Sequence, residues 1–202
     1  MQDIDQKAKE LALKYGMPLD VHIPIGAKDK QAIIKYIGCI QEINGVHAEM
    51  AFIVTPHFSP ELNNKLPLWK LPESEILHRK KQVWVHVDYP GYRAAYINAC
   101  PEEGVNGFVL DHILNRRIAR LKGYNYLRIV KVTKSVNTSS GGVTEKYGFD
   151  YHSTDHMKKI NSQSQAFIEY ADVTAVVKML NKKTGGKFQD IIRDSLYLFD
   201  EE

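Results

Sequence analysis

Asn44-Gly45 sits between two β-forming runs, AIIKYIGCIQEI at residues 32–43 and VHAEMAFIV at residues 46–54. The dipeptide suits the two positive-φ positions of a type I′ turn, so the pattern predicts an antiparallel hairpin. LDVHIPI at 19–25 and QVWVHVDY at 82–89 add two further strands. In the latter, Val83, Val85 and Val87 alternate with Trp84, His86 and Asp88, the period-2 pattern of a strand. Four such strands can close a small barrel resembling SH3-like folds, either as a binding surface or as a support. Ahead of them, Ile4, Ala8, Leu11, Ala12 and Tyr15 recur at helical spacing before Gly16 and Pro18, which predicts one short helix. Between Thr55 and Lys81, Pro56, Pro60, Pro67 and Pro72 prevent long regular elements, so this stretch reads as a connection.

The second half has a different texture. YPGYRAAYINAC predicts a short helix after Pro90. The apolar run Phe108, Val109, Leu110 leads into Asp111-His112, and ILNRRIARLKG reads as a helix with Ile113, Ile118 and Leu121 inward and Gly123 as cap. YLRIVKV is a second strand, followed by Asn137 and the small residues Thr138 to Gly142. Residues 149–165 read as a polar connection. ADVTAVVKMLNKKTGG places Val173, Val176, Val177 and Leu180 on one stripe, with Asp172 in the first turn and Gly185-Gly186 as a stop. FQDIIRDSLYLF is a last amphipathic helix. The expected class is α+β: a helix plus a β-rich unit at 1–90, then a basic unit with C-terminal helices at 91–202.

Composition narrows the class of protein. Hydrophobic residues make up 44% and charged residues 25% of the 202, as in an ordinary globular chain, which excludes disordered and collagenous classes. Cys39 and Cys100 are the two cysteines and have neither metal-ligand nor redox spacing, so buried free thiols in a reducing compartment are expected. The N-terminal stretch is too polar for a signal peptide, and no run approaches the roughly 20 apolar residues that span a bilayer. The expectation is a cytoplasmic protein with no membrane partner.

Charge is unevenly distributed. From Val105 to Gly148, eight cations (Arg116, Arg117, Arg120, Lys122, Arg128, Lys131, Lys134, Lys146) face two acids, Asp111 and Glu145, a local balance of +6 in a chain whose total is +3. Such a concentration is the footprint of a polyanion-binding surface, most simply for nucleic acid. The plainer reading is a solvated helix face followed by a Lys-rich strand.

The pattern LDHI, an Arg-rich loop, YLRIV and a terminal Asn resembles the HNH, or ββα-metal, nucleases. The resemblance covers residues 105–148 and implies a central ββα-like basic unit with one divalent metal, Mg²⁺ or Mn²⁺. Carried over by position, Asp111 and Asn137 hold the metal, His112 is the general base and Asn125 braces the loop. Such chemistry needs an imidazole that is neutral near pH 7 and a cation at the leaving oxygen. Hard Mg²⁺ accepts a carboxylate and an amide oxygen while keeping several waters. Arg116, Arg117, Arg120, Arg128, Lys131 and Lys134 then contact phosphates, with DNA expected over RNA.

Other readings of the same residues stand beside this one. Asp111 can simply N-cap the following helix, with His112 packed behind it. Asp150, His152, Asp155 and His156 form a second cluster of metal-ligand types within a segment that reads as a loop. Ser139 to Gly142 can form a phosphate-cradling nest, without P-loop spelling. The expected activity is a metal-dependent nuclease. The alternatives are a non-catalytic nucleic-acid-binding module and a protein-interaction component with its partner near Trp69, Trp84 and Tyr92.

Overall fold

The computed structural model describes residues 23–57, 81–141 and 144–181. The expected N-terminal helix, the proline-rich connection from residue 58 to 80 and the last amphipathic helix lie outside them. In chain order the elements are β1 (Pro24–Ala27), α1 (Lys30–Tyr36), β2 (Gly38–Glu42), β3 (Ala51–Pro56), β4 (Gln82–His86), α2 (Tyr92–Ala99) and β5 (Phe108–His112). They continue as α3 (Arg116–Lys122), β6 (Tyr126–Thr133), α4 (Lys134–Gly141), α5 (Thr144–His152), α6 (Asp155–Gln163), β7 (Ile168–Tyr170) and α7 (Val173–Met179).

All seven strands form one antiparallel sheet in the order β2-β3-β4-β6-β1-β7, with β5 also on β6. The sheet curls into a half-barrel. Its described edges are β2, β5 and β7, so the described strands form an open half-barrel where four strands in the first half suggested an SH3-like barrel.

β6 is the hub. One of its edges carries β4, with Val83 opposite Ile129 and His86 opposite Tyr126. The other edge is shared. β1 takes its start, with Gly26 opposite Leu127, and β5 takes its end, from His112 opposite Ile129 to Phe108 opposite Thr133. The sheet therefore forks at Arg128, and the chain leaves β5 at that fork. Strands from both sides of residue 90 pair with β6, so the sheet runs across the expected boundary between residues 1–90 and 91–202.

The hairpin forms, but with a different connection. β2 pairs with β3 from Gly38 opposite Pro56 to Glu42 opposite Phe52, leaving residues 43–50 as the link. Gly45 has φ 75°, while Val46 donates to Ile43 and Met50 to His47, so a pair of turns replaces the two-residue I′ turn. The run at 32–43 is also not one strand. Asp29 accepts a 2.7 Å bond from Ala32 N and starts α1, whose Ala32 and Ile33 are buried. An N-cap fixed the conformation where β-branched composition suggested otherwise.

Two faces of β5 and β6 matter for the site. One face packs Val130 and Val132 with Val176, Met179 and Leu180 of the α7 region. The other packs Leu110 and Ile129 with Ala95, Tyr96 and Ala99 of α2. α1 covers a third cluster around Phe52, Trp84 and Tyr126. Residues 149–165, expected as a connection, instead complete α5 and form α6, which Thr154 caps by accepting from Met157 N at 3.3 Å. Asn161 is the buried residue of α6, so an apolar stripe was not there to read.

Candidate functional site

Asp111 and His112 are the last two residues of β5 and point to opposite faces of the sheet. Asp111 lies opposite Val130 on the α7 face, where its Oδ2 is 2.5 Å from Nζ of Lys178. Lys178 is buried, at 3% exposure. A buried ammonium has to be paired, and the Asp111 carboxylate is what pairs it.

His112 lies opposite Ile129 on the α2 face, with its ring centroid 4.6 Å from that of Tyr92. It is buried at 7% exposure, and its Nε2 has no hydrogen-bond partner among the described residues. Burial, reinforced by the positive charges of Arg116, Lys178 and Arg120, lowers its pKa from the ordinary 6.5 to about 4. The ring is neutral at pH 7, as a proton acceptor must be.

The helix after this pair is capped by Asn115, whose Oδ1 accepts from Arg117 N at 2.8 Å, and not by Asp111. Gly123 ends it in the left-handed region at φ 77°, where a side chain would be strained. Asn125 is exposed at the β1–β6 junction. Its Nδ2 donates to Lys28 O at 2.8 Å, its backbone N–H donates to Ala27 O and its carbonyl accepts from Val87 N. These bonds tie the start of β6 to the ends of β1 and β4. Asn137 is half-buried in α4, which follows β6 directly. Ser139 and Ser140 belong to the same helix, so the backbone there is helical and not a nest.

The basic segment looks different in space. Arg120 donates to Asp88 Oδ1 through Nε at 3.0 Å and Nη2 at 2.6 Å. Lys122 pairs with Glu169. Lys131 is 3.8 Å from Glu103 and donates to Gly104 O at 3.2 Å. Arg128 is opposite Trp84 in the register and buried at 1% exposure, so it belongs to the core and not to a phosphate-facing surface. Arg116, Arg117 and Lys134 are exposed and have no ion pair among the described residues, with Arg117 also lying 5.7 Å from the Phe149 ring.

On the Asp111 face a cavity of about 180 Å³ opens beside the fork. Asn115, Lys122, His152, Glu169, Asp172 and Lys178 line it, with Ile25, Ile113 and Ile118 as apolar wall. Burial, and then the charge of Lys122, lowers the pKa of His152, whose Nδ1 is 3.5 Å from Asn161 Nδ2. Asp155 is held by Lys158 at 3.3 Å, so the cluster Asp150, His152, Asp155 and His156 does not gather as a metal site. Among the described residues, Cys100, Glu102 and Glu103 bring three ligand atoms within 4.8 Å of one another. Glu103 there already accepts from Tyr96 Oη at 2.9 Å and faces Lys131.

Lys178 is the residue that sequence reading missed. Its signal was a lysine in the apolar run VVKML, one position beyond the Val176-Val177 stripe. Comparison of the chain with protein-family models, with curated proteins and with solved structures finds no match.

Proposed function

We propose that the protein is a nucleic-acid-binding module whose phosphate contacts come from Arg116 and Arg117 at the start of α3 and from Lys134 at the start of α4. The observation that carries this reading is the division of the basic segment: these three cations are exposed and make no ion pair among the described residues, whereas Arg120, Lys122 and Lys131 are paired and Arg128 is buried. The order β5, β6, α4 supports a ββα-like layout, two antiparallel strands followed by a helix.

The residues do not fit a resident Mg²⁺ or Mn²⁺. Lys178 already neutralises Asp111, and an ion on that carboxylate oxygen has to displace a buried ammonium at 2.5 Å. The metal-dependent nuclease reading is therefore second to binding. What favours a hydrolytic role is His112, a neutral imidazole with Nε2 unpartnered among the described residues. As a general base it contributes roughly 10²–10⁴-fold to rate, so His112→Ala abolishes strand cutting and keeps affinity if that reading holds.

The binding reading is tested by fluorescence anisotropy on a labelled DNA duplex over a salt series. Each phosphate contact adds about 0.9 to the log–log salt slope, so Arg116→Ala with Arg117→Ala lowers the slope by roughly 2. Arg120→Ala, which removes a cation already held by Asp88, leaves the slope almost unchanged. Equal affinity and slope in the double variant and the wild type sink the assignment.

A further inference from the structure

Away from the fork, the end of α1 meets the residues that enter β7. Tyr36 and Phe167 are exposed there at 48% and 47%, with ring centroids 6.2 Å apart and planes 27° from parallel. Their position is fixed by the fold, since Lys28 N donates to Phe167 O at 2.9 Å and Tyr36 is the last residue of α1. Each ring carries an ammonium. Lys35 Nζ is 4.9 Å from the Tyr36 centroid, and Lys28 Nζ is 5.6 Å from that of Phe167. Lys28 Nζ donates to Ser164 O at 2.7 Å, neither lysine has an ion pair among the described residues, and the nearby Asp29 is engaged as the cap of α1.

We infer that Tyr36 and Phe167 form a stacking platform for unpaired nucleobases, with Lys28 and Lys35 on the flanking phosphates. The two adjoining exposed rings make one apolar patch, and the two cations beside it, neither paired with an acid among the described residues, specify the charge of what covers it. Every nucleobase has a π-face, so the platform is tolerant of sequence. In a duplex those faces are stacked inside and out of reach, so the site selects single strands. The inference rests on the nucleic-acid reading above and adds strandedness to it.

The test uses the full chain and a labelled oligothymidylate of about 12 nucleotides, with a duplex of equal length as comparison. One stacked base is worth roughly 5- to 150-fold in affinity, so Tyr36→Ala with Phe167→Ala weakens single-strand binding at least fivefold and leaves duplex binding alone. Lys28→Gln with Lys35→Gln lowers the single-strand salt slope by roughly 1 to 2 without touching the rings. The variants at Arg116 and Arg117 do the converse, lowering duplex affinity more than single-strand affinity. Single-strand binding that is unchanged in both platform variants overturns the inference. A wild-type chain that binds duplex only also overturns it while the Arg116 and Arg117 surface stands, and one that binds neither removes both.

Discussion

On one side of β5 the Asp111 carboxylate meets the ammonium of Lys178, and on the other the His112 imidazole meets the Tyr92 ring and leaves Nε2 without a partner among the described residues. Two adjacent residues of one strand thus solve the burial of a polar group in different ways. A carboxylate with an ordinary pKa stays charged at neutral pH and has to find a counter-ion, because an isolated buried charge costs several kcal/mol. An imidazole can instead give up its proton, and the lowered pKa of His112 records that choice. A dipeptide that looks like one catalytic unit in the sequence becomes a structural ion pair on one face and an open acceptor on the other.

The strongest way to break this contrast is Lys178→Met. It leaves Asp111 without its ammonium and is expected to destabilise the protein by about 3–5 kcal/mol in urea unfolding near neutral pH. Asp111→Asn in the same background should recover much of the loss. A cost below about 1 kcal/mol for Lys178→Met would mean that the pair is not what holds this face.

The His112 face gives the next largest effect, and its sign is opposite to that of a salt-bridged histidine. The unfolded chain binds a proton near the ordinary pKa of 6.5, whereas the folded state resists it until about pH 4. Stability contributed here is present above pH 6.5 and is lost as pH falls through that window. The loss is roughly 3 kcal/mol, taking about 1.4 kcal/mol for each step of one in pKa. His112→Phe should flatten the profile between about pH 6.5 and pH 4, whereas identical profiles for variant and wild type would show that the ring does not titrate as the geometry requires.

Much of the local structure could be read from the chain. The strand at Gln82–His86, the helices at Tyr92–Ala99 and Arg116–Lys122 and the cap at Gly123 follow from alternation, periodicity and one glycine. α7 also stands where its apolar stripe and Asp172 placed it, with Asp172 accepting from Ala175 N at 2.7 Å. What failed was information held in partners distant along the chain. Linear counting gave the segment from Val105 to Gly148 a balance of +6, but Asp88, Glu103 and Glu169 come in from outside it to neutralise Arg120, Lys131 and Lys122. Arg128 looked like its neighbours and is buried, in register with the buried Trp84 of β4. Lys178 lies 67 positions from Asp111, and no short motif links them. In α6 the buried residue is Asn161, so periodicity had little to work on.

The smallest expected effect separates the two roles once open to Asp111. Asn115 and not Asp111 caps α3, so Asn115→Ala should cost about 1 kcal/mol of stability and leave nucleic-acid affinity within error. A drop in affinity with unchanged stability would instead make Asn115 part of the binding surface.

Whether Lys178 alone or a divalent ion holds the Asp111 carboxylate decides between the binding and nuclease readings. This is tested most directly by following plasmid and single-stranded DNA in Mg²⁺ or Mn²⁺, with and without chelator, while measuring binding in the same buffers at matched ionic strength. Equal affinity with and without chelator, and no metal-dependent cutting, are expected if Lys178 alone holds that carboxylate. Chelator-sensitive cutting that Asp111→Ala abolishes would contradict it and restore the metal-dependent nuclease.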